Sequence, residues 1–165
     1  MPPNKNGPNS LPDVVDAATR SRMMSGIRGK DTQPEMIVRR GLHSRGFRFR
    51  LHDKRLPGSP DLVFPGRRAV IFVHGCFWHG HSCHLFRMPA TRQEFWCSKI
   101  EGNTARDKVV EATLVADGWR VLTIWECALK GRERLPVDTV LDRAAAWLVA
   151  GPGPETIAGG ANGAV

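Results

Sequence analysis

From Val73 to His84 the chain reads Val-His-Gly-Cys-Phe-Trp-His-Gly-His-Ser-Cys-His. These residues include two cysteines, four histidines and an adjacent Phe-Trp pair. Thiolates and imidazoles at this density suit a tetrahedral zinc site. An imidazole left outside such a site moves protons near neutral pH. The aromatics can fill a core or stack on nucleic-acid bases. A fold holding this stretch has to place an irregular, ligand-rich loop next to whatever strand feeds it.

With 165 residues, the chain can bury one core without disulfide staples. Its 24 Lys+Arg against 16 Asp+Glu give a net charge of +8, a balance that suits a polyanionic partner. No apolar run reaches the roughly 18–20 residues of a membrane span. The N-terminus has no signal-peptide core, so a cytoplasmic location is expected. The four cysteines of a cytosolic chain are then thiols or metal ligands.

Residues 1–16 and 150–165 are rich in Gly, Pro, Ala or Asn and read as disordered ends, leaving one domain over residues 17–149. Ala17–Ser25 reads as a short basic helix carrying Met24. Thr32-x-x-Glu35 has capping-box spacing, with Pro34 in the first turn, and opens a helix that ends near Gly46. Phe47–Leu51 alternates like a half-buried strand. Asp61–Phe64 and Ala69–Val73 read as a hairpin across Pro65-Gly66. A helix follows from about Thr104 to Asp117, then a strand over Trp119–Trp125 and a helix from Pro136. This order predicts an α/β fold: a mixed sheet flanked by helices.

Cys76, His81 and Cys83 leave the strand in a tight cluster and need a fourth ligand. Cys127, after the last strand, is the natural candidate, with Cys97, His79 and His84 as competitors. The plainer alternative is that these cysteines are small buried apolar groups. Asp61 is either a turn-former or, with the Val73 carbonyl, a Mg²⁺ site. Mg²⁺ there polarises a phosphodiester and promotes hydroxide formation. Glu35 is a helix cap or faces the same metal. His79 is a candidate general base, and Asp107 either orients it or favours the helix dipole. Phe77, Trp78 and Trp96 are core or a wedge between base steps. Trp119, Trp125 and Trp147 are read as core.

The ordered motifs Arg20-Ser21, Leu56-Pro57-Gly58-x-Pro60-Asp61, Val70-Ile71-Phe72-Val73-His74-Gly75-Cys76-Phe77-Trp78-His79, Pro89-Ala90-Thr91-Arg92-x-Glu94-Phe95-Trp96, Gly118-Trp119-Arg120-Val121 and Trp125-Glu126-Cys127-Ala128-Leu129 resemble the very-short-patch-repair mismatch endonucleases. The resemblance spans residues 17–149. It implies a restriction-endonuclease-like core with structural Zn²⁺ and catalytic Mg²⁺. It also implies nicking of duplex DNA 5′ to the T of a T:G mismatch left by deaminated 5-methylcytosine. Asp61 and the Val73 carbonyl then hold Mg²⁺, with Glu35, His74 and Asp107 around it and His79 as the catalytic histidine. Cys76, His81, Cys83 and Cys127 hold Zn²⁺. Phe77, Trp78 and Trp96 form the wedge, and Met24 inserts from the minor-groove side. Phe72 and His74 stand where the broader PD-(D/E)xK nucleases carry a second carboxylate and a lysine, a replacement this family shares. A monomer on DNA is expected, with other mismatch-repair proteins as further partners. A two-strand-cutting restriction enzyme and a non-catalytic zinc-stabilised DNA binder are the rival readings.

Overall fold

The computed structural model describes Asp16, Ala18 and residues 29–160. The predicted helix carrying Met24 and the expectation for residues 1–15 lie outside the described residues.

Helix α1 spans Gln33–Ser44, with Thr32 as N-cap and Pro34 in the first turn, as the capping spacing predicts. Strands β1 (Arg50–Leu51), β2 (Leu62–Phe64) and β3 (Ala69–His74) follow. After the Cys/His loop come α2 (Gln93–Ala116), β4 (Arg120–Trp125), α3 (Val137–Ala150) and β5 (Glu155–Ile157). The sheet order is β1-β2-β3-β4-β5. The first three strands pair antiparallel, and β3-β4 and β4-β5 pair parallel. The long segment between β3 and β4 is the crossover that a parallel pair requires.

Alternation along the strands divides the core into two layers. Leu62, Phe64, Ala69, Ile71, Leu122 and Ile124 meet α1 and α3 on one face. Val63, Val70, Phe72 and Val121 meet Leu114 of α2 on the other. Helices α1 and α3 cross so closely that a Cβ at Gly41 would collide with Leu141. The same period-2 geometry places Val73 on the α1/α3 face and turns the next residue, His74, towards α2. That single step in the pleat decides which helix each neighbour of the Cys/His loop meets.

Three expectations change. Helix α2 begins at Gln93 and not near Thr104. Gly102 and Asn103 look like a break in sequence, but a helix carries them once its first turns can pack aromatics on the preceding loop. The Phe47–Leu51 strand shrinks to two paired residues, while Phe47 and Phe49 still pack on Phe64. The expected disordered tail over residues 150–165 is corrected in part. Glu155–Ile157 adds a fifth strand beside β4, and Ile157 is fully buried in the main core. Its Gly- and Pro-rich surroundings hid a β-branched Thr-Ile pair.

Candidate functional site

The end of β3 and the loop after it face the start of α1 across a cavity of about 860 Å³. Asp31, Thr32 and Pro34 form one wall, and Val73, His74, Phe77, Trp78 and His79 form another. The helix start therefore faces the strand end, the condition under which Glu35 can be both cap and site residue.

Glu35 does serve the helix N-terminus, with a variation. Its backbone N–H lies 3.4 Å from Thr32 Oγ1, while its Oε2 accepts from the Asp31 N–H at 2.8 Å. Its Oε1 lies 2.6 Å from His52 Nε2. Burial raises the Glu35 pKa, opposed by the Asp31 N–H, His52 and Arg39.

Asp61 sits just before β2, where the hairpin register brings it to Val73. The Val73 N–H donates to Asp61 Oδ2 at 2.7 Å, which holds the carboxylate beside the end of β3. Burial pushes the Asp61 carboxyl up to about 7, and the nearby Glu35 carboxylate adds to this. The Val73 N–H and His79 oppose the rise. Two buried acids near one another each disfavour the other's charge, so a nearby cation would favour ionised Asp61.

Beyond Val73 two imidazoles stack. The His74 and His79 rings lie parallel with centroids 3.8 Å apart. Burial lowers His74 to about 4, helped by the charge of His79 and opposed by Asp107, so it is neutral at pH 7. His79 Nδ1 lies 2.5 Å from Asp107 Oδ2, which fixes the ring from α2. The same helix holds the loop through Asn103 Nδ2, which donates to the Trp78 carbonyl at 2.9 Å.

The cysteine cluster closes as the sequence spacing suggests. One ligand atom from each of Cys76, His81, Cys83 and Cys127 lies within 4.8 Å of the others. Cys127 comes from the 3-10 turn Glu126–Ala128 after β4. The S–H of Cys76 lowers its thiol pKa, with the Gly159 N–H and His81 assisting. Cys76 is correspondingly raised, because it is the partner that keeps the proton. Three thiols and one imidazole are a fitting donor set for a tetrahedral ion. Of the competing ligands, Cys97 is exposed, His79 faces Asp107, and His84 Nδ1 lies 3.2 Å from Glu133.

The aromatics form one half-buried patch. Phe77 meets Trp78 at 5.1 Å and Trp96 at 5.5 Å, and Trp78 meets Trp96 at 5.9 Å between centroids. Trp147 is core as read from sequence. Trp125 is only half buried and stacks on His81 at 4.3 Å, with its edge towards His74 at 5.4 Å. It bridges the cysteine cluster and the imidazole pair, a role the strand pattern concealed. His52 was also missed: nothing in its spacing to Glu35 signals their contact.

Fold and site together define a class: an α/β protein that joins a metal-ligand cluster, buried carboxylates and a braced imidazole pair at one end of its sheet. Residues 12–85 match the family model described as DNA mismatch endonuclease Vsr. The chain is 53% identical to Type II nicking enzyme V.XorIIP of Xanthomonas oryzae pv. oryzae over 72% of this chain and 88% of that protein. It is 48% identical to DNA mismatch endonuclease Vsr of Escherichia coli over 84% of this chain and 88% of that protein. It belongs to the Vsr DNA mismatch endonuclease family, and it is a DNA endonuclease, a hydrolase of phosphodiester bonds.

Proposed function

We propose that this protein nicks one strand of duplex DNA 5′ to the T of a T:G mismatch, using Mg²⁺, and so starts short-patch repair of deaminated 5-methylcytosine. The observation that carries the reading is the meeting of three groups at one sheet end: Asp61 on Val73, His79 on Asp107, and the Phe77–Trp78–Trp96 patch. In this reading the core is restriction-endonuclease-like and Cys76, His81, Cys83 and Cys127 hold Zn²⁺.

Asp61 and the Val73 carbonyl would hold Mg²⁺, which when bound polarises the phosphodiester and offsets its developing charge. Asp107 accepts from His79 Nδ1, leaving Nε2 as the lone pair that takes a proton from the attacking water. As the water oxygen bonds to phosphorus, one phosphorus–ester oxygen bond breaks. Neutral His74 packs against His79 and limits its ring motion. Glu35, held by His52 and the Asp31 N–H, would position water beside the metal without needing to move.

Phe77, Trp78 and Trp96 enter beside the mismatch, where unstacking is cheapest because the pair is already weak. The surplus of Lys and Arg draws the protein to DNA. Met24 supplies a minor-groove contact by family resemblance. One strand needs cutting, so a monomer suffices and no two-fold dimer is required. Among the described residues no helix is long and apolar enough to cross a membrane. Action on DNA in the cytoplasm, with other mismatch-repair proteins, completes the reading. Comparing T:G and C:G duplexes of one sequence tests it, since nicking should require the mismatch.

A further inference from the structure

The imidazole pair has a property that proton transfer does not use. One ligand atom from each of His74, His79 and Asp107 lies within 4.8 Å of the other two. These three residues come from β3, the Cys/His loop and α2, so the arrangement is a product of the tertiary fold. His74 and His79 face two openings: the cavity of about 860 Å³ beside α1, and another of about 750 Å³ beneath α2. Asp107 lines the second. An ion can therefore reach the trio without displacing the core.

The donor set differs in kind from both other sites. Mg²⁺ prefers oxygen ligands and retains water, whereas imidazole nitrogen suits borderline-soft ions such as Zn²⁺, Co²⁺ and Cu²⁺. Two imidazoles and one carboxylate with an open fourth position form a common three-ligand zinc arrangement. The parallel rings, 3.8 Å apart, would turn out of their stack to aim two nitrogens at one ion, each ring opening towards one of the two cavities. The four-ligand cysteine cluster is closed by comparison and supplies no such opening.

We propose that His74, His79 and Asp107 form a second, open site for a borderline-soft divalent cation, and that filling it stops nicking by occupying His79. The inhibitory half rests on the nuclease reading above, whereas the binding half does not. An ion at this trio engages the imidazole that would accept the proton and the carboxylate that braces it. Mg²⁺ does not displace it, because its own ligands are oxygens on Asp61 and the Val73 backbone. Excess zinc then acts as a brake on the same protein that needs zinc for its loop.

The test uses purified full-length protein carrying one equivalent of zinc. Equilibrium dialysis against added Zn²⁺ should yield a second bound equivalent, and Co²⁺ should yield the visible bands of an imidazole-bound ion. H74A and D107N should each lose that second equivalent, with circular dichroism and the first equivalent retained. D107N guards against misfolding, because Asp107 is on a partly exposed helix face. In Mg²⁺, wild-type nicking should fall at least 10-fold over the Zn²⁺ range that fills the second site, and a weak chelator should restore it. Uptake of one equivalent only, or a second equivalent unchanged in both variants, overturns the site. Filling of the second site with undiminished nicking overturns the brake. Absence of any nicking in Mg²⁺ alone with normal two-equivalent uptake overturns the nuclease reading instead.

Discussion

His79 Nδ1 and Asp107 Oδ2 lie 2.5 Å apart, joining the loop after β3 to the middle of α2. Because His79 is also stacked on His74, its ring is fixed on two sides. A base held in this way loses little entropy when substrate arrives. D107N keeps the side chain's size but removes the charge and can present the wrong partner to Nδ1. Nicking should fall by about 10²–10⁴-fold with DNA affinity little changed, as single-turnover rates and gel-shift titrations would read. An unchanged rate would remove Asp107 from the account.

Asp61 should control both metal and stability. In D61A nicking in Mg²⁺ should drop to background, while T:G duplex binding persists in a gel shift. An unfolded variant by circular dichroism would mean that the Val73 contact is structural.

The raised Asp61 pKa has a definite sign. Folded protein holds this proton up to about pH 7, whereas the unfolded carboxyl releases it near the ordinary aspartate value of 3.8. The folded state therefore binds more protons between these values, and stability from this group falls as pH rises through them. Without Mg²⁺, denaturant midpoints should decline across that window, and D61N should flatten the decline. Mg²⁺ should raise the midpoint most at and above pH 7, whereas binding below pH 7 should release the Asp61 proton. A Mg²⁺ effect equal at pH 5 and pH 8 would contradict this.

The Cys76, His81, Cys83 and Cys127 set should contribute folding energy. C83A should lose the tightly bound ion by elemental analysis and destabilise the fold by about 4 kcal/mol or more in urea titrations. A variant of normal stability would return these cysteines to ordinary core packing.

The wedge should matter for the mismatch more than for the fold. W78A should weaken T:G duplex binding by ~1–3 kcal/mol, on the scale of one stacked aromatic, with a nearly unchanged melting temperature. Equal loss on T:G and C:G duplexes would reduce Trp78 to a general DNA contact.

Much of this site could be read from local spacing. The Thr32/Glu35 cap, the β2–β3 hairpin and the Cys76–Cys83 cluster each depend on near neighbours, so periodicity and turn residues reveal them. Cys127 and Asp107 were candidates from their predicted elements, each with an alternative left open, and the family resemblance chose between them. What stayed hidden depends on distant parts of the chain. His52 reaches Glu35 across a β-strand connection, and Trp125 leaves the core pattern to stack on His81. Ile157 closes the core from a segment whose composition suggests a tail. Even the Asp61–Val73 pairing was legible only as proximity, because the pleat decides that the N–H makes the contact.

The most direct measurement is strand-resolved cleavage of two duplexes differing only in T:G against C:G at one position, in Mg²⁺. The account predicts one nick, 5′ to the T, in the mismatched duplex alone. Equal cutting of both duplexes, or cutting of both strands, would contradict it.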